Sequence, residues 1–435
     1  MSRSRLSPEA ASLLTADASH VWHPYTRHGV DDEPLLVQSA SGARLTLADG
    51  TELVDGIASW WASVHGHGHP HLIAAMHDQA KRLDHVLFAG ATHTPAVKLA
   101  ERLVAIAPAG LSRVFYSDDG STAVEVALKM AYHAWVIRGQ PQRRVFVALE
   151  GAYHGDTFGA MAVGDPDPYF TAFQPLFFEV HRIPPTPHAL AAKLKELGNR
   201  VAAVIVEPLL QAAGGMVMYP EAFLNDCRKA CDESSVFLIA DEVATGFGRT
   251  GSMFACGRAG VKPDFLCLSK ALTAGMALLS ATLTTEAVFQ QFRASKQVPF
   301  FPHGHTMTAN PIACAVALAS LELMERDGVP AKLDGLGRAI FEGVHSLHKE
   351  PHVKDVRRLG GVVAIELFPE REGTSGYAAP RSLHLRQVAQ REGVLLRPLG
   401  DVLYAWPPAC ANEDDVAAIV RGLRAQVTAA RPIGP

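Results

Sequence analysis

The sequence predicts an α/β protein, with a mainly parallel sheet in a large domain and a smaller α/β domain formed by both ends of the chain. Three observations support this fold class. Short, continuous apolar runs in the middle of the chain are typical of buried strands, and helical patterns separate one run from the next. Both ends carry strand patterns of their own. We therefore expect a large domain over residues 61–320, and a smaller one that combines residues 1–60 with residues 321–435.

The predicted elements follow one another in a simple order. Residues 35–56 contain apolar segments separated by glycine-containing turns, which predicts a hairpin. An amphipathic stretch from Ser121 to Val136 predicts a helix after the first buried strand. After Gly328, the segments GVVAIEL and VLLRP predict two strands of the smaller domain. The buried strands of the large domain are expected at residues 113–117, 144–150, 201–208, 236–242 and 264–270.

Composition narrows the function classes. The chain has 435 residues, is 48% hydrophobic and 19% charged, and carries a formal net charge of −4. It has no basic tail and no block of like charges, which argues against a nucleic-acid or anionic-membrane partner. No apolar run approaches the roughly 18 residues of a membrane-spanning helix, and the first twenty residues lack the apolar core of a secretory signal. We expect a cytoplasmic protein.

One histidine-rich segment invites interpretation as a metal site. His65, His67, His69 and His71 alternate along VHGHGHPHL. The interleaved glycines and proline are typical of a turn, and no carboxylate follows at ligand spacing. The six cysteines are irregularly spaced as well, so we predict reduced thiols and no metal ion.

Polar residues follow the predicted parallel strands where each strand ends. Because the carboxyl ends of parallel strands share one edge of a sheet, we expect these side chains to lie near one another. Acids, a lysine and a Gly-Ser helix start on one edge suit a phosphorylated cofactor that contains nitrogen. In chain order they are Asp119-Gly120-Ser121, Glu150, Glu207, Asp241-Glu242 and Lys270.

Lys270 and Asp241 each admit two interpretations. Burial at a strand end would lower the pKa of Lys270 and free its amine to form a Schiff base, although a surface lysine at such a position is common. A buried Asp241 can keep a pyridine nitrogen protonated, which makes the ring an electron sink. Alternatively, Asp241 and Glu242 cap a helix or pair with Arg249.

Two further segments fit the same kind of cofactor. Residues Asp119–Thr122 precede the predicted helix and suit a phosphate cradle of backbone N–H groups and a serine hydroxyl, with a plain helix N-cap as the alternative. Tyr153, in the segment GAYHGDT, offers a flat ring to a cofactor, although buried aromatic residues usually belong to the core. The P-loop motif of nucleoside-triphosphate sites and the GxSxG motif of serine hydrolases are absent.

A longer segment resembles a known family. Residues 238–275, LIADEVATGFGRTGSMFACGRAGVKPDFLCLSKALTAG, are similar nearly throughout to the Asp-to-Lys signature of class III, pyridoxal-phosphate-dependent aminotransferases of fold type I. Over residues 20–410, finer motifs resemble one member of this class more than its ornithine, acetylornithine and 4-aminobutyrate relatives. They are WHPYT, ASWWASVHG, YSDDGSTAVEVALKMA, GAYHGDTFGAMAVGD, HGHTMTANPIACA and RPLGDVLYAWPP. The resemblance implies pyridoxal 5′-phosphate as the cofactor.

The resemblance also implies roles for individual residues. Lys270 would hold the cofactor and move the proton, with Asp241 at the ring nitrogen and Tyr153 stacked on the ring. Arg397 would bind the substrate carboxylate. Thr306 would reach the phosphate from the other subunit of a homodimer. The implied cofactor-binding residues are Gly120, Ser121, Tyr153, Asp241, Lys270, His305 and Thr306. The implied substrate-binding residues are Tyr25, Trp60, Trp61, Tyr153, Asp156, Lys270, Gly304 and Arg397.

Two residues depart from the family pattern. Asp119 stands where the family more often has serine, and His305 stands where proline is usual, so either can shift the affinity for the cofactor. Asp156 is a candidate for binding the sulfonium or the amino-acid end of the amino donor. Three other functions stay open: a class III aminotransferase for an ω-amine, a mutase or racemase with the same cofactor, and a cofactor-free scaffold protein.

Overall fold

The computed structural model describes residues 6–29, 33–167, 170–295, 300–369 and 381–431. Its strands are β1 (Val37–Ser41), β2 (Arg44–Leu47), β3 (Glu52–Asp55), β4 (Leu111–Ser117), β5 (Val145–Leu149), β6 (Val180–Ile183), β7 (Val201–Val206), β8 (Leu210–Gln211), β9 (Val217–Met218), β10 (Phe237–Asp241), β11 (Phe265–Leu268), β12 (Ser280–Thr285), β13 (Val353–Leu359), β14 (Val362–Leu367), β15 (Val394–Leu395) and β16 (Val402–Ala405). The longer helices are Pro8–His20, Pro70–Ala80, Thr94–Ile106, Gly120–Ile137, Pro187–Leu197, Glu221–Glu233, Glu286–Ala294, Pro311–Arg326, Val329–Val344, Arg381–Arg391 and Glu413–Ala429, and Phe158–Val163 and Ala255–Ala259 are shorter.

A seven-stranded sheet with the order β4-β12-β11-β10-β7-β5-β6 forms the centre of the molecule. Only β12 runs antiparallel to its neighbours, which confirms the predicted mainly parallel sheet. The inner strands β5, β7, β10 and β11 are buried along their whole length, so they consist almost entirely of apolar residues.

Two strands of this sheet have no counterpart in the sequence prediction. β6 is a short strand at the sheet edge and is only partly buried. β12 is buried but carries Ser and Thr at alternate positions, which hides its apolar pattern. These hydroxyls are satisfied inside the protein: the hydroxyl of Thr282 donates a hydrogen bond to the carbonyl of Ala123 over 2.8 Å.

Alternate residues of each inner strand face two different apolar clusters, one on each side of the sheet. On β7, Val204 and Val206 pack in the cluster that includes helix Glu221–Glu233, whereas Ala203 and Ile205 pack with helix Gly120–Ile137. That last helix was predicted as an amphipathic helix over Ser121–Val136, and the structure confirms it. Its exposed residues Lys129 and Tyr132 lie opposite the buried ones, which pack against the sheet and the helices Phe158–Val163 and Glu286–Ala294.

Two smaller sheets lie outside the large one, and the first of them joins the two ends of the chain. In the first, β15 from the C-terminal part pairs in parallel with β3 from the N-terminal hairpin, with Val394 opposite Val54. The second contains β13, β14 and β16. The smaller α/β unit is therefore assembled from both ends, while the exact boundaries at residues 60 and 320 stay a prediction. Among the described residues, no helix is long and apolar enough to cross a membrane.

Candidate active site

A cavity of about 290 Å³ opens at the carboxyl edge of the large sheet. The strand ends bring most of the predicted edge residues into its wall, as expected for an open α/β sheet. Glu150 is exposed and Glu242 lies outside the lining, so these two edge residues do not take part. The lining residues that matter for chemistry are Trp61, Asp119, Gly120, Ser121, Tyr153, His154, Glu207, Asp241 and Lys270.

Lys270 follows the last residue of β11 by two positions and begins a short 3₁₀ turn. Its Nζ lies 5.1 Å from the centre of the Trp61 ring. Burial lowers the pKa of Lys270, although the negative charges of Asp241, Glu207 and Asp156 act in the opposite direction. A lowered pKa increases the fraction of neutral amine, which is the nucleophilic form.

The Asp241 carboxylate, at the end of β10, is buried and held by two partners. Its Oδ2 accepts a hydrogen bond of 2.7 Å from His154 Nδ1, and its Oδ1 accepts one of 3.0 Å from the Val243 amide. His154 is itself buried, and its Nε2 has no hydrogen-bond partner in the described part of the chain. Sequence reasoning missed His154, although it directly follows Tyr153 in the GAYHGDT segment.

Glu207 was predicted at this edge of the sheet, but without an individual role. Its Oε1 accepts the Tyr153 amide and its Oε2 accepts the Ala212 amide, each over 3.0 Å. Burial raises the pKa of Glu207 to about 7, with His154 lowering it and Asp241 raising it. The carboxyl thus ties the loop of Tyr153 to the loop after β7, and both loops border the cavity.

The start of helix Gly120–Ile137 faces the same cavity. Asp119 is the N-cap: its Oδ1 accepts the Thr122 amide over 3.0 Å, and the Thr122 hydroxyl accepts the Asp119 amide over 3.0 Å. The N-cap alternative is therefore correct for Asp119, and the cap leaves the helix N-terminus directed at the cavity. Glu242, in contrast to Asp241, does cap a helix, because it accepts the amides of residues 255 and 256.

The loop beside this helix start is packed too closely for larger side chains. A Cβ atom on Gly155, where φ is +123°, would collide with the Ser121 side chain, and one on Gly120 would lie 2.6 Å from Val243 Cγ1. Ser121 Oγ accepts the Asp156 amide over 3.2 Å, so its own hydrogen can be donated to an anion. Backbone amides, a hydroxyl and a helix N-terminus together fit a phosphate group.

A second group of predicted residues forms a wall that adjoins Tyr153. The hydroxyls of Tyr25 and Tyr153 both donate to Asp156 Oδ1, over 2.7 and 2.9 Å. The Tyr25 ring meets Trp60 edge to face at 5.9 Å, and the Arg397 guanidinium lies 5.1 Å from the centre of the Trp60 ring. Arg397 Nη2 also donates to the Tyr25 carbonyl over 3.3 Å. The wall is thus continuous from Tyr153 to Arg397.

The predicted residues Gly304, His305 and Thr306 do not line the cavity of their own chain. His305 Nδ1 lies 2.8 Å from Asp118 Oδ2, at the end of β4, and Thr306 is exposed. The histidine that replaces the usual proline therefore shares a hydrogen bond with a carboxylate close to the helix start. Contact of Thr306 with a phosphate across a dimer stays a prediction.

The four alternating histidines do not share a ligand. His65 contacts Ser320, His67 contacts a carboxylate of β3, the His69 ring accepts the amide of His71, and His71 pairs with Glu322. Within the residues that the structure describes, no group of three or more His, Cys, Asp or Glu side chains could hold a metal ion. Five cysteines are buried free thiols, and Cys410 is exposed.

Comparison with known proteins identifies the family. The sequence profile described as Aminotransferase class-III matches residues 25–427. The chain belongs to this family. A protein named adenosylmethionine-8-amino-7-oxononanoate aminotransferase in Synechococcus elongatus is 46% identical over 411 residues, which cover 91% of this chain and 96% of that protein. A protein of the same name in Geobacter sulfurreducens is 40% identical and covers 96% of this chain and 98% of its own length.

Solved structures agree with the sequence relatives. The adenosylmethionine-8-amino-7-oxononanoate aminotransferase of Methanocaldococcus jannaschii superposes on this aminotransferase with a TM-score of 0.92 at 34% identity, covering 97% of this chain and 99% of that one. An amine transaminase from an uncultivated Pseudomonas species, in its PLP-bound form, gives a TM-score of 0.88 at 31% identity and covers 94% and 98%. The fold is therefore that of the fold-type I, pyridoxal-phosphate-dependent aminotransferases.

Class III aminotransferases depend on pyridoxal 5′-phosphate, and the cavity of this aminotransferase suits that group. The amine of Lys270 and the carboxylate of Asp241 lie in one cavity whose Gly120–Ser121 wall can bind a phosphate. Tyr153 supplies a flat ring beside them. The aminotransferase thus holds, on its own chain, candidates for every contact that the cofactor needs apart from those predicted for a second subunit.

Proposed function

We propose that this aminotransferase transfers an amino group from S-adenosyl-L-methionine to 8-amino-7-oxononanoate and forms 7,8-diaminononanoate, a step of biotin biosynthesis. The observation that carries the proposal is the continuous wall from Tyr153 to Arg397. It places an aromatic surface, and then a cation, next to the lysine cavity. A long aliphatic acid that reacts far from its carboxylate needs that arrangement. The relatives of the same name support the choice of substrate.

Several residues of the cavity have a task in the reaction. When bound, pyridoxal phosphate supplies an electron sink that stabilises negative charge on the reacting carbon of the substrate. Lys270 Nζ removes the proton from that carbon and returns a proton later, which its lowered pKa favours. Asp241 holds a positive charge on the ring nitrogen, and His154 keeps the carboxylate oriented. Gly120 and Ser121 hold the phosphate at the helix N-terminus.

The wall sorts the two substrates. Arg397 binds the tail carboxylate of 8-amino-7-oxononanoate. The alkyl chain of this substrate packs against Trp60 and Tyr25. Asp156, which already accepts two phenol hydrogens, offers negative charge to the cationic end of S-adenosylmethionine. We also propose that the enzyme is a cytoplasmic homodimer in which Thr306, next to His305 and Gly304, completes the site of the other subunit. Exposed apolar side chains nearby, those of Leu278 and Met307, support such an interface.

A second candidate function is transamination of another ω-amine. It is favoured by structural similarity to proteins named omega transaminase, such as the Pseudomonas jessenii enzyme in complex with PMP, with a TM-score of 0.89 at 27% identity. Ornithine, a diamine or 4-aminobutyrate would then be the donor. The sequence relatives at 33–46% identity favour the first proposal instead.

A donor scan on the purified holoenzyme distinguishes the two. The absorbance band of the bound cofactor is followed while S-adenosylmethionine, lysine, ornithine or 4-aminobutyrate is added, and 8-amino-7-oxononanoate is then supplied. We expect S-adenosylmethionine to bleach the band and the oxo acid to restore it. Lys270→Ala is the matched control, because removal of the amine should abolish both changes. Bleaching by an ω-amine alone, with no recovery on adding the oxo acid, would establish the second candidate.

A further inference from the structure

The two tryptophans of the site stand on a strained turn. Ala58, Ser59, Trp60 and Trp61 have φ values of 47°, 44°, 67° and 76°, the longest run of left-handed residues in the part of the chain that the structure describes. Residues other than glycine avoid this conformation because Cβ approaches the following carbonyl oxygen. Strain of this kind persists only where the surroundings hold it, and it concentrates at functional sites.

A buried carboxylate at the end of β3 holds the turn. Asp55 is completely buried, and its Oδ1 accepts the Ile57 amide over 3.3 Å. Its Oδ2 accepts the Ser59 hydroxyl over 2.7 Å and His67 Nε2 over 2.9 Å. Burial raises the pKa of Asp55, but the hydrogen bonds from His67 and Ser59 outweigh it and keep the pKa below its usual value. The carboxylate is therefore charged and fully engaged with the turn.

His67 belongs to the histidine-rich segment, which has no role in the proposed reaction. Its backbone is fixed on the N-terminal hairpin, where its amide donates to the Gly42 carbonyl over 2.8 Å and its carbonyl accepts the Gly42 amide over 3.0 Å. The imidazole thus reaches Asp55 from a rigid base. It is the only one of the four alternating histidines whose described contacts lead to the turn.

The turn directs its two indole side chains to different parts of the site. Trp61 stacks on Trp406 with ring centres 5.1 Å apart and planes inclined by 25°, and Lys270 Nζ lies 5.1 Å from the centre of the Trp61 ring. Trp60 carries the contacts with Tyr25 and Arg397. One backbone conformation therefore fixes both the face toward the lysine and the wall that an aliphatic chain would follow.

We propose that Asp55 and His67 are positioning residues that hold the left-handed turn and thereby set the preference of the enzyme for a long-chain acceptor. The proposal rests on the proposed function, because it takes the Trp60 wall as the binding surface of the oxo acid. Neither residue touches the cofactor cavity, so both act through Trp60 and Trp61. We call the hydrogen-bonded pair of Asp55 and His67 the clamp. Loss of the clamp should weaken acceptor binding more than it slows the donor half-reaction.

The test compares holoenzyme variants in which the hydrogen bond is lost or kept. His67→Leu removes the donor, whereas His67→Gln keeps an N–H group near the same position. His71→Leu is the matched control, because His71 comes from the same segment and also pairs with a carboxylate at 2.9 Å, but on the surface. Ser59→Ala removes only one hydroxyl and serves if His67→Leu does not fold.

Two measurements are made on each variant. The first is the circular dichroism couplet of the stacked pair Trp61 and Trp406, recorded without substrate and assigned by its loss in Trp406→Phe. The second is the dissociation constant of 8-amino-7-oxononanoate, set against the rate of the donor half-reaction. For His67→Leu we expect a reduced couplet and acceptor binding weaker by about tenfold, as follows from losing a hydrogen bond to a buried charge. Ser59→Ala should change both in the same direction, and His67→Gln should restore most of both.

Each outcome has one meaning. A couplet and a dissociation constant in His67→Leu and Ser59→Ala that match those of His71→Leu would overturn the proposal, as would equal damage to the donor half-reaction. If the wild-type enzyme does not use the oxo acid at all, the proposed function fails. The couplet then still decides whether the clamp holds the turn, and an unchanged couplet refutes it.

Discussion

Arg397 is the residue on which the choice of acceptor depends. Its guanidinium lies against Trp60 and bonds to the Tyr25 carbonyl, so it is held in place at the far end of the wall. Arg397→Ala should weaken binding of the oxo acid by about 2–5 kcal/mol, the usual cost of removing one partner of a desolvated charge pair. Titration of the acceptor against the cofactor absorbance measures this.

The donor half-reaction is the internal control for Arg397→Ala, and Arg397→Lys is the matched variant. Lysine keeps the charge but cannot form the two parallel hydrogen bonds of a guanidinium, so it should recover part of the lost affinity. If both half-reactions lose the same amount in Arg397→Ala, Arg397 does not bind the acceptor carboxylate.

Glu207 gives the molecule a pH-dependent stability. Burial raises its pKa from 4.5 in an unfolded chain to about 7 in the folded protein. Between these two values the folded state keeps a proton that the unfolded state has released, so the free energy of unfolding decreases as the pH rises through the window. Glu207→Gln stays neutral at every pH and should lack this component.

The prediction is measured by urea unfolding at pH 5 and pH 8. Relative to the wild type, Glu207→Gln should gain roughly 2.5 kcal/mol of unfolding free energy between pH 5 and pH 8, by linkage from the two pKa values. Glu150→Gln, at an exposed strand end, is the control and should follow the wild-type curve. Parallel curves for the wild type and Glu207→Gln would show that Glu207 does not hold its proton into the neutral range.

At the scale of elements, the helix start at Gly120 combines a structural and a binding task. Asp119 caps the helix with a reciprocal pair of hydrogen bonds to Thr122, but it also places a carboxylate near the predicted phosphate. Serine also caps helices well, and it carries no charge. Asp119→Ser should therefore change stability little while it tightens cofactor binding, because one repulsive charge is removed.

Asp119→Ala separates the two effects. It should lower the free energy of unfolding by about 1 kcal/mol, the usual value of an N-cap, and still relieve the repulsion. Asn412, which caps helix Glu413–Ala429 with the same type of box, is the matched control: Asn412→Ala should lose the cap energy only. Thermal unfolding and a cofactor titration check the three variants, and weaker cofactor binding in Asp119→Ser would contradict the repulsion argument.

The sequence predicts an element when its local pattern is distinctive, and fails when the element depends on distant contacts. The strands β5, β7, β10 and β11 are continuous apolar runs, and burial on both faces leaves them no other composition. Asp241 and Lys270 were therefore predicted as the polar residues that follow two of these runs. β12 escaped prediction because its hydroxyls find partners only in the folded protein, as Thr282 does with the Ala123 carbonyl.

The same limit applies to single residues of the site. His154 bonds to Asp241, which is 87 residues away in sequence, and Glu207 bonds to the amide of Tyr153, which is 54 residues away. A local sequence pattern cannot predict contacts between residues so far apart in the chain. The left-handed turn that carries Trp60 is equally silent in the sequence, since nothing in ASWW calls for positive φ. The family resemblance implied that Trp60 and Trp61 bind substrate, and the structure shows which hydrogen bonds hold the turn that carries them.

At the scale of the whole molecule, the question is whether one chain completes its own site. The segment that contains Thr306 lies outside the cavity of its own chain, held there by the pair His305–Asp118. If Thr306 serves the other subunit, Lys270 and Thr306 of a functional site come from different chains. Two defective variants, Lys270→Ala and Thr306→Ala, can then repair each other in a mixed dimer, since one of its two sites receives both intact residues.

Equal amounts of the two variants are unfolded, mixed and refolded, and the donor half-reaction is measured at a cofactor concentration that leaves Thr306→Ala alone mostly empty. Random pairing makes half of the dimers mixed, and each mixed dimer has one intact site of two, so about a quarter of the wild-type activity should return. The control mixture of Lys270→Ala with Asp241→Asn combines two residues of one cavity in the same chain and should recover nothing. Equal recovery in both mixtures would contradict the shared site, and no recovery in either would place Thr306 in the site of its own subunit.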